Sequence, residues 1–254
     1  FEALGLDLCY IAFAVAPKHL PEAVNAIRVL DLLGVNITVP HKENVIPLLD
    51  KIDREASFIN AVNTIVNKQG KLTGYNTDGR GFMKSLSEKG ISVTGRDIFI
   101  VGAGGASRAI SYYLSEKASK LFLHDINQTK AKKLVSDLSK IRENVFLIKN
   151  ISDIDKPHVI INATPIGLKP ADPLPLNPAF ITSDMIVCDL IYRNTKFLQA
   201  AREKGAKTIN GSGMLLWQGV LAFEMWTGVK APVDIMRKAL AAGIKKGFIR
   251  KKVE

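Results

Sequence analysis

An apolar run that ends in glycines and opens onto helix-forming sequence constrains this chain more than any other feature. Residues 97–101 read as a strand, Gly102-Ala103-Gly104-Gly105-Ala106 as the turn after it, and Ser107 onward as a helix. Gly102 permits the tight turn and Gly104 lets backbone come close to a pyrophosphate. The helix N-terminus offers free N–H groups and the positive end of its dipole to the same group. Ser107 occupies the third position of the pattern, where small size lets strand and helix pack closely. A second strand, residues 120–124, follows as in a βαβ unit. The feature predicts a dinucleotide-binding sheet, against the plainer alternative of a glycine-rich turn.

The rest of the chain fits that frame. Short apolar runs alternate with helix-period segments, the pattern of an α/β protein with mostly parallel sheets. A first unit reads as a strand over 8–15, a helix over about 21–33 opened by Pro21, a strand over 34–39, a helix after Pro40, and a hairpin over 61–75 joined across Lys68-Gln69-Gly70. Before it, Phe1 to Gly5 read as the last turn of a helix closed by glycine, so further residues are expected upstream. The second unit begins near Gly79. After the glycine loop, Ala131, Leu134, Val135, Leu138 and Ile141 share one helix face, with Asn127 or Thr129 near its start. Further strands are expected at 145–149, 158–162, 185–190 and 206–210, enough for a complete nucleotide-binding sheet. Residues 214–226 are apolar nearly all round, which predicts a helix buried between layers, and Pro232 opens a last helix over 233–246. Pro170, Pro173, Pro175 and Pro178 mark an extended loop, a candidate rim of a cleft.

Composition excludes several classes. With 47% hydrophobic and 23% charged residues among 254, the chain is not disordered in the main. No apolar stretch approaches the roughly 18 to 20 residues that span a bilayer. Cys9 and Cys188 each lie in an apolar run and read as buried thiols of a reducing compartment, the cytoplasm by default. A net charge of +11 clusters only at Lys245-Lys246 and Arg250-Lys251-Lys252, without interleaved aromatics, so nucleic acid is not an expected partner. Such charge suits anionic small molecules instead. The four histidines show no metal spacing, and no metal is expected.

Candidate site residues follow from position. Asp125 lies 23 residues after Gly102, at the end of the second strand, where an acidic group accepts from a ribose 2′-hydroxyl and repels a 2′-phosphate. This favours NAD; the alternative is a cap before Asn127, and Lys130 or Lys132 is within reach of a phosphate. Asn36 and Thr38 face one side of their strand, with Lys42 at the start of the next helix. Asp78 sits in Asn76-Thr77-Asp78-Gly79 at the junction of the units, where clefts form. A lysine and an aspartate together can exchange a proton with a substrate hydroxyl, as hydride transfer requires; otherwise Asp78 is a turn or helix cap. Asn63 and Thr64 can bind hydroxyls, although asparagines in hairpins are usually structural. Gln218 needs a partner if buried, and Tyr192 closes a strand at the end where open α/β sheets bind ligands.

In this order the motifs resemble the shikimate dehydrogenase family. The matching blocks are Ala3-Leu4-Gly5-Leu6-Asp7, residues 34–42, Ala61-Val62-Asn63-Thr64, Asn76-Thr77-Asp78-Gly79, residues 102–109, Asn162-Ala163-Thr164-Pro165-Ile166-Gly167, and Gly211-Ser212-Gly213-Met214 followed by Gln218. The resemblance implies NADPH-dependent reduction of 3-dehydroshikimate to shikimate in aromatic amino acid biosynthesis. It implies Lys42 and Asp78 as the catalytic pair and Thr38, Asn63, Tyr192 and Gln218 as substrate-binding residues. The loop Gly102, Ala103, Gly104, Gly105, Ala106 and Ser107 carries the pyrophosphate, and Thr164, Leu190, Gly213 and Met214 line the nicotinamide side. The implied fold is α/β in two domains: a substrate-binding domain, 1–78 plus 215–254, and a Rossmann-type nucleotide-binding domain, 79–214. A homodimer is compatible with it.

Three departures stand out. The family's N-terminal serine pair, which binds the substrate carboxylate, has no counterpart. Its Asn-Arg-Thr after the second nucleotide-domain strand is Asp125-Ile126-Asn127, without the arginine that clamps a 2′-phosphate, and the proline after its tyrosine is missing in Tyr192-Arg193-Asn194-Thr195. The cofactor is therefore NADP by family habit or NAD by Asp125. The acidic residue is similar to that of NAD-using quinate/shikimate dehydrogenases, which makes quinate oxidation the enzymatic alternative. A ligand-sensing or nucleic-acid-binding protein on the same fold is the alternative without turnover, and intact Lys42 and Asp78 argue against it.

Overall fold

A computed structural model describes residues 1–246, so Arg250, Lys251 and Lys252 lie outside the described residues. The chain divides into two compact units, 1–77 with 219–254, and 78–218.

The first unit contains α1 (Leu20–Val29), β1 (Gly34–Asn36), β2 (Lys51–Ile52), α2 (Arg54–Ile59), β3 (Thr64–Lys68) and β4 (Lys71–Tyr75). Its core joins Leu20, Val24 and Ile27, one face of α1, to Val45, Ala56, Val62, Ile65 and Leu72. The sheet runs β1-β3-β4-β2, and only β2 and β4 pair in parallel. The expectation of mostly parallel sheets fails here because the β3–β4 connection is a two-residue turn. Gln69 (φ 54°) and Gly70 (φ 79°) both adopt the left-handed region that such hairpins require.

Four further expectations are corrected in this unit. Residues 8–15 form no strand. Their apolar alternation looks like one, but a strand exists only through a ladder, and this segment has none; Tyr10, Ile11 and Phe13 are exposed. It is tied down instead by the Tyr10 hydroxyl, which donates to Asn36 Oδ1 at 2.9 Å, and by Val15 O, 2.8 Å from His41 Nε2. Cys9 is accordingly exposed, while Cys188 is buried as expected. No α-helix follows Pro40: the chain makes turns and a single 3-10 turn, Ile46–Leu48, where Pro47 has no N–H to continue a helix. α1 also stops at Val29, since Asp31 (φ 47°) turns the chain out of helical geometry.

The second unit contains α3 (Asp78–Glu88), β5 (Asp97–Val101), α4 (Gly105–Lys117), β6 (Lys120–His124), α5 (Gln128–Ser139), β7 (Val145–Leu147), β8 (Val159–Asn162), β9 (Ile186–Asp189), α6 (Lys196–Glu203) and β10 (Lys207–Asn210). α7 (Ser212–Thr227) starts in this unit and ends in the first, where α8 (Val233–Lys245) follows. The sheet is parallel throughout, ordered β10-β9-β8-β5-β6-β7. Central strands are apolar on both faces, with Ile98, Phe99 and Ile100 fully buried. The strand order reverses between β5 and β8, the switch point at which open α/β sheets bind ligands. Asn127, not Thr129, caps α5, accepting from Lys130 N at 3.2 Å; Ile141 falls beyond that helix and is exposed. On α7, Met214, Leu216, Val220, Ala222 and Phe223 are buried but Leu215 is exposed, so the helix is not covered all round.

α4 and α5 are joined by one acidic side chain. Asp137 accepts from Arg108 at 2.5 Å and from Lys133 and Lys140 at 3.2 Å each. The Arg108 guanidinium, with the two ammonium groups, holds its carboxyl well below the usual range of 3.8. A carboxyl depressed in the folded state stabilises the fold above its unfolded pKa, and that contribution is lost as pH falls below 3.8 toward the folded value. Asp137→Asn therefore lowers stability near neutral pH by about 1 kcal/mol. Urea unfolding of both proteins should show the gap close in acid; a gap that persists unchanged there contradicts this account.

Candidate active site

The glycine loop lies at the carboxyl end of β5, at the switch point. Gly102 has φ 110°, and a Cβ there would come within 2.9 Å of the Ala163 backbone, so only glycine fits. Gly102 N donates to His124 O at 2.7 Å, and Ala103 N donates to Asp125 Oδ2 at 2.7 Å. Gly104 caps α4 in extended backbone, and a Cβ on Gly104 or Gly105 would meet nothing within 4 Å. α4 starts two residues earlier than the sequence suggests. Gly105, Ala106 and Ser107 thus form its first turn, whose N–H groups have no carbonyl one turn back to bond. Ser107 itself is fully buried and serves packing. An open, glycine-lined helix N-terminus fits a pyrophosphate.

Asp125 has a part in this loop that its sequence position does not reveal. Oδ2 braces Ala103, and Oδ1 accepts from Asn127 N at 2.7 Å. One side chain therefore forms both the cap-like turn before Asn127 and the brace of the glycine loop, and each carboxylate oxygen keeps capacity for a further bond. Ile126, where the family has its arginine, is 90% exposed.

Of the residues expected on the nicotinamide side, Thr164 and Leu190 stand on the connections that follow β8 and β9, and Gly213 and Met214 in the first turn of α7. Thr164 donates its hydroxyl to Asn162 Oδ1 at 2.7 Å. Leu190 N donates to Asn162 O at 3.0 Å, and Gly211 N donates to Ile191 O at 3.0 Å. Gly213 lies against Ser85 of α3, where a Cβ would come within 2.8 Å of the Ser85 Cβ, and Met214 is buried beside it in sequence. Tyr192 is 43% exposed beyond the end of β9. Gln218, partly buried, donates Nε2 to Leu215 O at 2.9 Å.

In the first unit Lys42 is half-buried in the turns after Pro40, and its carbonyl accepts from Val62 N at 2.8 Å. Thr38 lies beyond the end of β1 and is exposed, so the shared strand face with Asn36 is not formed. Asn36 turns to Asn63 O and Thr64 Oγ1, donating to each at 3.2 Å. Asn63 is 2% exposed. Its Oδ1 accepts from Thr77 N at 2.9 Å and its Nδ2 donates to Thr77 Oγ1 at 3.0 Å, while Asn76 Nδ2 donates to Ala61 O at 2.9 Å. Two asparagine side chains thus fix the residues that lead directly into Asp78, which is buried as the first residue of α3. Sequence reasoning missed this lock, and it missed Asp189, a buried carboxylate at the end of β9. The available signal for Asp189 was one acidic residue interrupting an otherwise apolar run, residues 185–191.

A parallel six-stranded sheet with a glycine-lined helix N-terminus at its switch point, in a chain that carries a second α/β unit, defines the class of dinucleotide-binding α/β proteins. Residues 1–65 match the shikimate dehydrogenase substrate binding domain, and residues 211–241 match the shikimate 5′-dehydrogenase C-terminal domain. The shikimate dehydrogenase (NADP(+)) of Carboxydothermus hydrogenoformans is 44% identical over 251 residues, 94% of this chain and 88% of that one. The crystal structure of shikimate 5-dehydrogenase from Listeria monocytogenes in complex with shikimate and NAD superposes with a TM-score of 0.87 at 36% identity, covering 94% of this chain and 88% of that chain. The enzyme from Thermus thermophilus in complex with NADP(H) and shikimate does so with a TM-score of 0.87 at 33% identity, covering 95% and 90%. The chain belongs to the shikimate dehydrogenase family, oxidoreductases that act on a CH–OH group. Among the described residues no helix is long and apolar enough to cross a membrane.

Proposed function

We propose that this protein catalyses the reversible reduction of 3-dehydroshikimate to shikimate with a nicotinamide dinucleotide, in the cytoplasm, as a step of aromatic amino acid biosynthesis. The observation that carries this reading is identity of 44% to a shikimate dehydrogenase across 94% of the chain. The nicotinamide supplies or takes up the hydride. The loop Gly102 to Ser107 holds the pyrophosphate, with the N–H groups of the first turn of α4 as donors and Gly102 and Ala103 shaping the turn, and Thr164, Leu190, Gly213 and Met214 flank the nicotinamide. Thr38, Asn63, Tyr192 and Gln218 hold the substrate. Lys42, as an ammonium, donates a hydrogen bond to the carbonyl oxygen and then its proton to the developing alkoxide. Asp78 is its partner in exchanging this proton with the substrate oxygen. Initial rates with shikimate and with quinate test the substrate: shikimate should have the higher kcat/KM, and the reverse ranking would make this a quinate dehydrogenase.

The same reading extends to the cofactor. Asp125 at the end of β6 and the missing arginine at Ile126 support use of NAD alongside NADP, since a carboxylate accepts from a 2′-hydroxyl and repels a 2′-phosphate. Asp125→Asn keeps an oxygen for Ala103 N and removes the charge. It should shift the kcat/KM ratio toward NADP by about tenfold, the scale of one hydrogen bond to a charged group. An unchanged ratio would reduce Asp125 to a brace for the glycine loop.

A further inference from the structure

Carboxylates are seldom buried, because removal from water is costly unless several donors replace it. Asp189, the last residue of β9, is 1% exposed. Burial pushes its carboxyl above the usual range, and three hydrogen bonds act in the opposite direction. Oδ1 accepts from Asn162 Nδ2 at 3.1 Å and from Ile191 N at 3.0 Å; Oδ2 accepts from the Thr195 hydroxyl at 2.7 Å.

Each partner is itself committed. Asn162, opposite Asp189 in the β8–β9 register, uses Oδ1 to accept from Thr164 N and the Thr164 hydroxyl, and its Nδ2 also donates to Ile166 O at 3.1 Å. Thr195 caps α6, accepting from Leu198 N at 3.3 Å. Gly167 (φ 107°) closes the gap: a Cβ there would lie 3.3 Å from Ile191 Cδ1 and 3.5 Å from Thr195 Cγ2. One carboxylate therefore ties the segment after β8 to the segment after β9 and to the start of α6. Thr164 and Leu190, two residues assigned above to the nicotinamide side, belong to the two segments so joined.

We propose that Asp189 is the positioning residue that sets the spacing of Thr164 and Leu190, and through them the angle at which the nicotinamide ring is held. The inference rests on the dehydrogenase reading of the preceding subsection. Asp189 touches no reacting atom. Its effect falls on the hydride-transfer step, whereas dinucleotide affinity is carried mainly by the glycine loop on the far side of β8. An amide can partly replace it, with its oxygen at the Oδ1 position and its NH2 turned to the Thr195 hydroxyl, which can also accept.

The test compares wild type with Asp189→Ala, Asp189→Asn and Thr195→Val, measuring kcat, KM for the dinucleotide, and the primary deuterium isotope effect with nicotinamide deuterated at the transferred position. Asp189→Ala should lose about 10- to 100-fold in kcat, the scale of a small misplacement of reacting atoms. KM should change by less than about threefold, since ground-state binding is largely kept. The isotope effect should rise. Asp189→Asn should recover most of the rate, and Thr195→Val should fall between the two. If Asp189→Ala does not fold, the Asn and Val variants carry the same comparison. Folded variants with wild-type kcat and isotope effect would overturn this inference while leaving the dehydrogenase reading intact. A wild-type protein with no shikimate turnover would overturn the reading, and this inference with it.

Discussion

Replacing Lys42 with alanine is expected to lower kcat about 100- to 10,000-fold, the range over which a positioned proton donor acts. The ketone oxygen gains a full charge as hydride arrives, and water would have to supply the proton that the ammonium now delivers. Lys42 is half-buried on a turn held by the Val62 N–H to Lys42 carbonyl bond, so truncation of the side chain leaves the backbone support in place. Asp78→Asn should fall in the same direction, since a neutral amide cannot take up or give the proton. The two groups act on one proton, so the double variant should be little worse than the poorer single one. Steady-state rates over a range of pH check this. Additive losses would mean that the two side chains act on separate steps, and undiminished kcat in either single variant would remove that residue from the mechanism.

Gly211→Ala should be the most destabilising single methyl in the second unit. A Cβ at Gly211 would lie 2.0 Å from Leu190 O and 2.5 Å from Leu190 C, both backbone atoms held by the β9 connection. Overpacking that only a backbone shift can relieve costs about 3 kcal/mol, which for a chain of this size lowers Tm by about 6 to 12 °C. Gly104→Ala is the contrasting substitution. Nothing lies within 4 Å of a Cβ there, and its φ is −79°, so Tm should stay at the wild-type value. The methyl would nevertheless project where backbone must approach the pyrophosphate, and KM for the dinucleotide should rise about tenfold or more. Calorimetry paired with KM measurement separates the two. Equal Tm losses in both variants would contradict the assignment of Gly104 to the cofactor.

The nucleotide-binding half was legible because its signals are local. A strand, a glycine turn and a helix stand next to each other in the chain, and β5 and β6 occupy the residues that apolar patterning assigns to them. The first unit was harder. Alternation in residues 8–15 satisfies one requirement for a strand, but the other is a partner, which no local pattern reports. Periodicity after Pro40 likewise hid the effect of Pro47. The candidate site divides in the same way. Lys42, Asp78 and the glycine loop were named as candidates from motifs, whereas the bonds that hold candidate residues in place span long stretches of sequence. Asn63 bonds Thr77, 14 residues on, and Asp189 bonds Asn162, 27 residues back. Asp125 was visible as an acidic residue after the second strand of that half, but its bond to Ala103 N depends on how β6 ends beside the loop.

The most direct test of the whole account is the initial rate at which purified protein reduces the nicotinamide dinucleotide when shikimate is the only added substrate, with NADP and with NAD in parallel. The account predicts turnover with shikimate that Lys42→Ala lowers about 100- to 10,000-fold. Absence of turnover with either dinucleotide, from a protein that binds both, would contradict it and favour a ligand-binding role for the same fold.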